Sequence, residues 1–118
     1  YGQDGIDEIS LSAPTTCCEI RDGAVSSYIL KPEQFGLAEC KKDDLVGGGP
    51  NENAKITLSV LKGEKGPKRD AVVMNAAACI YMVRDNITLR QAAALAEEII
   101  DSGKALRQLE KFVELTNR

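Results

Sequence analysis

The sequence predicts an α/β chain: a short β-hairpin and strand region followed by about four helices. Three observations carry that expectation. Two runs of strand-type residues flank a turn, Arg21-Asp22-Gly23-Ala24, whose central Asp-Gly pair suits a tight hairpin. Residues 71–83 are apolar with a single exception, too long a run for a strand and bounded like a helix. Thr88-x-x-Gln91 is a capping-box signature ahead of apolar residues at helical spacing.

The first stretch, Gly2-Gln3-Asp4-Gly5-Ile6-Asp7-Glu8-Ile9-Ser10, joins a glycine-flanked turn to a predicted strand over residues 9–12, where Ile9 and Leu11 alternate with Ser10 and Ser12. Adjacent side chains entering a strand point to opposite faces, so Asp7 and Glu8 would not chelate one ion from one face. At the loop end of that strand the backbone can turn both toward a hard cation. Mg²⁺ suits such a site, because it takes oxygen ligands and keeps several waters beside one or two carboxylates and a substrate phosphate. On spacing alone a pair of solvated turn carboxylates is the commoner reading.

Further strands are expected over residues 16–20 and 25–30, joined by the Asp-Gly hairpin. Pro32 and Gly36 then open a loop in which Phe35 and Leu37 read as a hydrophobic plug. Gly47-Gly48-Gly49 lacks the Gly-Lys-Ser/Thr that a phosphate loop needs, and reads as a flexible connector to a helix starting near Pro50. That helix carries Ala54, Ile56, Leu58, Val60 and Leu61, and Gly63 stops it. The next spans about Pro67 to Val83, with Asp70 in its first turn, where the helix dipole favours a carboxylate. Being apolar all round, it should be buried on all sides. Its exception, Asn75, must find partners, since a buried unpaired amide costs about 1–3 kcal/mol. A structural tie is the first reading for Asn75 and substrate contact the second. After the turn at Asp85-Asn86, Leu89, Ala92, Ala93, Ala96, Ile99 and Ile100 keep helical spacing, and Ser102-Gly103 interrupts it. A last helix sets Leu106, Leu109, Phe112 and Val113 against a solvated charged face.

The 118 residues suffice for one domain with a modest core, and 43% hydrophobic with 28% charged residues is an ordinary globular composition. A net charge of −3 and a pI near 5.0 argue against a nucleic-acid partner, whose usual footprint is a clustered basic face. No apolar run approaches the roughly 18 residues of a membrane span, and no signal-peptide pattern is visible. The chain has no histidine, so a Ser/His or Cys/His catalytic pair is impossible within it. Cys17, Cys18, Cys40 and Cys79 show no CxxC spacing and read as reduced structural thiols.

The helix over 71–83 demands more cover than short strands and three amphipathic helices offer. The chain opens on Tyr1, with a glycine-rich turn where a preceding strand would be expected. The simplest account is a chain cut from a larger α/β domain, its missing strands upstream and some apolar surface uncovered.

An ordered set of motifs points to a family. Asp4-Gly5-Ile6-Asp7-Glu8-Ile9-Ser10 with Ala13-Pro14-Thr15, then Phe35-Gly36-Leu37, Gly47-Gly48, Glu52-Asn53-Ala54, and above all Gly63-Glu64-Lys65-Gly66-Pro67-Lys68-Arg69-Asp70 with Asn75-Ala76-Ala77 occur in this order. Together they resemble anthranilate phosphoribosyltransferase over essentially the whole chain, in the C-terminal portion of a longer protein. The resemblance implies part of a phosphoribosyltransferase/nucleoside-phosphorylase-like α/β domain over residues 1–118, lacking the N-terminal helical domain and the glycine-rich phosphoribosyl pyrophosphate (PRPP) loop. It implies transfer of phosphoribose from PRPP to anthranilate, giving N-(5-phosphoribosyl)anthranilate in tryptophan biosynthesis, by a cytoplasmic enzyme that is a homodimer at full length. It assigns Mg²⁺ to the acidic pair Asp7 and Glu8, and places the other substrate-binding groups upstream. Tyr1 stands where the family commonly has His, and Ala13 where Gly is frequent. The competing expectations are a non-catalytic structural or interaction module, and a nucleoside-phosphorylase-like relative.

Overall fold

The computed structural model describes residues 1–117. A looped segment leads into strands β1 (Thr15–Arg21) and β2 (Ala24–Leu30), and four helices follow: α1 (Pro50–Leu61), α2 (Pro67–Val83), α3 (Leu89–Asp101) and α4 (Lys104–Thr116). Short 3₁₀ turns at Pro32–Phe35 and Lys42–Leu45 lie between β2 and α1. The hairpin and the four helices fall where periodicity and capping place them.

β1 and β2 pair antiparallel, with Thr15 opposite Leu30 and Arg21 opposite Ala24. Asp22 and Gly23 both take positive φ (51° and 78°), the geometry that lets a two-residue turn follow the twist of its strands. Cys17 packs against the core while Cys18 is exposed, as adjacent strand positions require. The hairpin is moored to α2, with the Arg21 guanidinium 5.0 Å from the centroid of the Tyr81 ring. Arg21 Nε also donates to Glu19 at 3.0 Å, and the Tyr28 hydroxyl donates to the same carboxylate at 2.8 Å. Partial burial, then the neighbouring Glu19, raises the Tyr28 phenol above its ordinary pKa.

The core lies between α2 and α3. Val73, Met74 and Ala77 meet Ala92, Ala93, Ala96 and Ile100, and Leu11, Leu30 and Phe35 close the end near the hairpin. Alanines along α3 let the two helices approach closely while the larger residues come from α2 and the loops. Phe35 is 2% exposed, so it is the plug that its loop suggested. The capping box at the start of α3 is complete: Gln91 N–H donates to Thr88 Oγ1 and Thr88 N–H to Gln91 Oε1. Asn53 pins the glycine connector, accepting from Gly48 N–H and donating to Gly48 O, both at 2.9 Å.

Two expectations are corrected. Residues 9–12 form no strand. Ser10 and Leu11 are both 1% exposed, unlike the half-buried strand that their alternation suggested, and the backbone there bonds mostly to side chains (Asn75, Thr15, Ser10) in place of a ladder. Nor is α2 buried on all sides: Val72, Met82 and Val83 are 44%, 73% and 81% exposed. The apolar face of α1 is likewise open, with only Val60 buried. Exposed apolar side chains also mark the hairpin (Ile20, Val25) and α4 (Phe112). Among the described residues no helix is long and apolar enough to cross a membrane.

Candidate functional site

The opening segment is a knot of turns built around Asp4. Gly2 N–H donates to Ile6 O at 2.8 Å and Gly5 N–H to Gly2 O at 3.0 Å, while Gln3 N–H reaches Pro14 O at 2.9 Å. A Cβ on Gly2 would sit 2.6 Å from Asp4 Oδ1 and 2.8 Å from Ser10 Cβ, so only glycine lets these strands of loop meet. Asp4 Oδ2 accepts from Ser12 Oγ at 2.5 Å and Ser10 Oγ at 2.9 Å, and Oδ1 accepts from Ile6 N–H at 3.3 Å. Lys42 Nζ donates to the Asp4 carbonyl at 2.6 Å. Ser10 N–H is satisfied by Thr15 Oγ1 at 2.9 Å.

Sequence reading did not single out Asp4. The signal was there in Asp4 with Ser10-x-Ser12, a carboxylate and two hydroxyls able to close one loop on itself. The hydrogen bond from Ser12, opposed by some burial and aided by Ser10, holds the Asp4 carboxyl below its ordinary pKa. A carboxyl depressed in the folded state stabilises it above the unfolded pKa of about 3.9, and this stabilisation disappears as pH falls through the folded value. Asp4→Ala is therefore expected to speed hydrogen exchange at the Ile6 amide at neutral pH. In the parent, acidification through the folded value should lower the protection of that amide relative to its intrinsic exchange rate at each pH. Unchanged exchange in Asp4→Ala at neutral pH would contradict the role given to this carboxylate.

Asp7 and Glu8 follow on the same loop, and both are exposed. In contrast to Asp4, neither makes a hydrogen bond or ion pair among the described residues. Downstream the backbone is fastened at Ile9, whose N–H donates to Asn75 Oδ1 at 3.1 Å and whose carbonyl accepts from Asn75 Nδ2 at 3.0 Å. Asn75 Nδ2 also donates to Ala71 O at 3.0 Å, so the amide is satisfied as a tie between loop and helix.

Between this loop, the glycine connector, α1 and α2 runs an open groove of about 570 Å³. Glu8, Asn53, Thr57, Lys68 and Asn75 supply polar groups to its lining, with Ile6 and Val72 among the apolar ones. Asp7 is not part of that lining, so the two acids do not share one wall. Lys68 Nζ donates to the Asp44 carbonyl at 2.8 Å, and Asp44 lies in the lining of a neighbouring groove that Lys68 also borders. Two nearby cations are engaged elsewhere: Lys65 pairs with Asp101 at 3.0 Å, and Arg69 is buried, reaching Glu97 and Asp101 of α3.

Among the described residues no three His, Cys, Asp or Glu side chains come together as a metal-binding group. Two neighbouring carboxylates free of internal partners fit Mg²⁺ nevertheless, because this ion keeps waters and substrate phosphate in most of its positions. They would not fit zinc, which wants His or Cys and a closed tetrahedron. A cation and a carboxylate lining one groove suit a ligand that brings phosphate and metal together.

Comparison with known proteins bears on this geometry. The sequence model of the glycosyl transferase family, a/b domain, matches residues 1–106. Anthranilate phosphoribosyltransferase of Lachnoclostridium phytofermentans is 69% identical over the whole of this chain and 35% of its own length. The enzyme of that name from Methanobrevibacter smithii is 57% identical over 99% of this chain and 35% of its own. Among solved structures, anthranilate phosphoribosyltransferase from Saccharomyces cerevisiae in complex with PRPP and Mg superposes with a TM-score of 0.86 at 32% identity, covering 97% of this chain and 33% of that one. The same yeast enzyme in complex with 4-fluoroanthranilate gives 0.87 at 33% identity, covering 97% and 34%. This chain thus spans about a third of the length of the relatives it matches.

Proposed function

We propose, from the premise that this chain belongs to the glycosyl transferase family through its a/b domain, that it is the C-terminal portion of an anthranilate phosphoribosyltransferase. In that reading the full-length enzyme transfers phosphoribose from PRPP to the amine of anthranilate, giving N-(5-phosphoribosyl)anthranilate for tryptophan biosynthesis. It works as a cytoplasmic homodimer. The 69% identity over the entire chain to a protein of that name is the observation that carries the proposal.

The chain's own part in the reaction follows from its residues. Asp7 and Glu8 hold Mg²⁺, since they are the carboxylates of the opening loop that no internal donor neutralises. When bound, the ion neutralises charge that builds on the departing pyrophosphate. Glu8 and Lys68 both line the groove, so the metal and the phosphate of one ligand would each find an oppositely charged residue there. Asp4, Ser10 and Ser12 keep the loop closed, so the acids meet the ion without first being ordered. The resemblance places the PRPP loop in the rest of the enzyme, and no histidine of this chain serves as a base toward the anthranilate amine.

The full-length protein mixed with PRPP, Mg²⁺ and anthranilate is expected to consume anthranilate fluorescence and release pyrophosphate in equal amounts. The isolated chain should do neither. Pyrophosphate release without loss of anthranilate would point to a different acceptor, and no reaction by the full-length protein would overturn the proposal.

A further inference from the structure

Asn75 is the one polar side chain in the run Ala71 to Val83, and it spends both ends of its amide on a residue 66 positions away. The Ile9 N–H that it accepts belongs to the peptide unit shared with Glu8, and the Ile9 carbonyl to which it donates belongs to the next unit. Because a peptide unit is planar, fixing that N–H also fixes the Glu8 carbonyl and restricts the last backbone torsion of Glu8. On the other side, Ile6 is held through its N–H by Asp4 and through its carbonyl by Gly2. Asp7 and Glu8 are therefore a two-residue span between fastened ends, and neither makes a backbone hydrogen bond of its own among the described residues.

We propose that Asn75 is a positioning residue for the acidic pair: its clamp on Ile9 sets where the Glu8 carboxylate lies in the groove, and with it the affinity for the divalent ion. The inference rests on the reading of Asp7 and Glu8 as metal ligands. Asn75 is also in the groove lining, as is Glu8, so the clamp and the residue it directs border the same space. A tie that served the fold alone could have been made anywhere along the loop. This one grips the backbone of the residue that follows the ligands, so it acts on them through the chain and not through their side chains.

The test uses full-length enzyme with Asn75→Leu, which removes the clamp at similar volume, and Asn75→Asp, which keeps an acceptor for Ile9 N–H but loses the donor. Mn²⁺ affinity is read by electron paramagnetic resonance with PRPP present and anthranilate absent, so no turnover enters. The expected result is about 10–100-fold weaker Mn²⁺ binding in Asn75→Leu, the range found when groups behind a metal ligand are removed. Asn75→Asp should fall in between, and saturating Mg²⁺ should restore most of kcat. If Asn75→Leu does not fold, Asn75→Asp decides on its own. Unchanged Mn²⁺ affinity in folded variants would overturn the inference, as would a raised KM for PRPP or anthranilate with no change in metal affinity. Glu8→Ala runs alongside: if it too leaves Mn²⁺ affinity untouched, the ligand assignment has failed; if it alone weakens binding, only the role of Asn75 has.

Discussion

Replacing Asp7 and Glu8 together by alanine in the full-length enzyme slows phosphoribosyl transfer by about 100-fold at fixed Mg²⁺, the low end of the loss when a group that stabilises developing charge is removed. That factor is about 2.7 kcal/mol of barrier. The Mg²⁺ concentration needed for half-maximal rate rises in the same variant, because the enzyme's share of the ion's ligands has gone. Stability changes by no more than about 0.5 kcal/mol, as expected of exposed side chains with no internal partner. Kinetics across a Mg²⁺ series, with a melting curve for each variant, separates these effects. An unchanged Mg²⁺ dependence would return both acids to ordinary solvated loop residues. A large loss of stability would mean that the loop needs them for its fold, which its hydrogen bonds through Asp4 do not suggest.

The second large effect is on stability and centres on Arg69. Its side chain is 1% exposed, and its two terminal nitrogens reach Glu97 at 3.3 Å and Asp101 at 2.9 Å, tying α2 to α3. Nε is buried without a partner. Breaking a buried ion pair by removing one member costs about 3–5 kcal/mol, but Glu97 and Asp101 are 41% and 45% exposed and can rehydrate. Arg69→Ala, which also loses the packing of the aliphatic stem, is expected to cost about 3 kcal/mol. Arg69→Met keeps the stem and removes the unpaired Nε, and is expected to cost about 1 kcal/mol. The shift of the urea midpoint at unchanged slope measures both. Equal losses for Ala and Met would show that charge, not packing, dominates. The hydrogen bond from Lys65, ahead of that from Arg69, holds the Asp101 carboxyl below its ordinary pKa. Its share of the tie is therefore present above about pH 4 and fades as pH falls through the folded value.

These residues show what could be read from the chain before its fold was known. The hairpin and helices are written in local chemistry: Asp22-Gly23 at positive φ, Pro50 and Pro67 opening helices, and Thr88 with Gln91 capping another. Residues 9–12 deceived because alternating apolar and hydroxyl residues imitate a half-buried strand. The hydroxyls in fact serve Asp4, and the backbone partners are scattered: Asn75 for Ile9, Thr15 for Ser10 and Cys40 for Leu11. A side chain that replaces a β-ladder from so far along the chain leaves no local signal. Asn75 was recognisable as a polar residue in need of partners, but not which ones.

The candidate site was legible in an uneven way. Spacing alone favoured solvated carboxylates for Asp7 and Glu8, and only the resemblance of the whole ordered motif set singled them out. The structure adds that Asp4, the third acid of the same loop, is internally satisfied, and that Glu8 but not Asp7 lines the groove. Lys68 joins that lining because the first turn of α2 faces the loop, a pairing that periodicity does not reveal. The uncovered apolar residues of α2, Val72, Met82 and Val83, fit the expectation that so apolar a helix needs more cover than this stretch supplies.

The claim beneath all of this is that the acidic pair holds the divalent ion against the leaving diphosphate. The direct measurement is a crystal of the full-length enzyme with PRPP and Mn²⁺ in place of Mg²⁺, the ion located by its anomalous scattering. The account predicts manganese within roughly 2.0–2.3 Å of a carboxylate oxygen of Asp7 or Glu8, or one water removed from it, and touching the diphosphate. Manganese on the diphosphate but remote from both acids would contradict it.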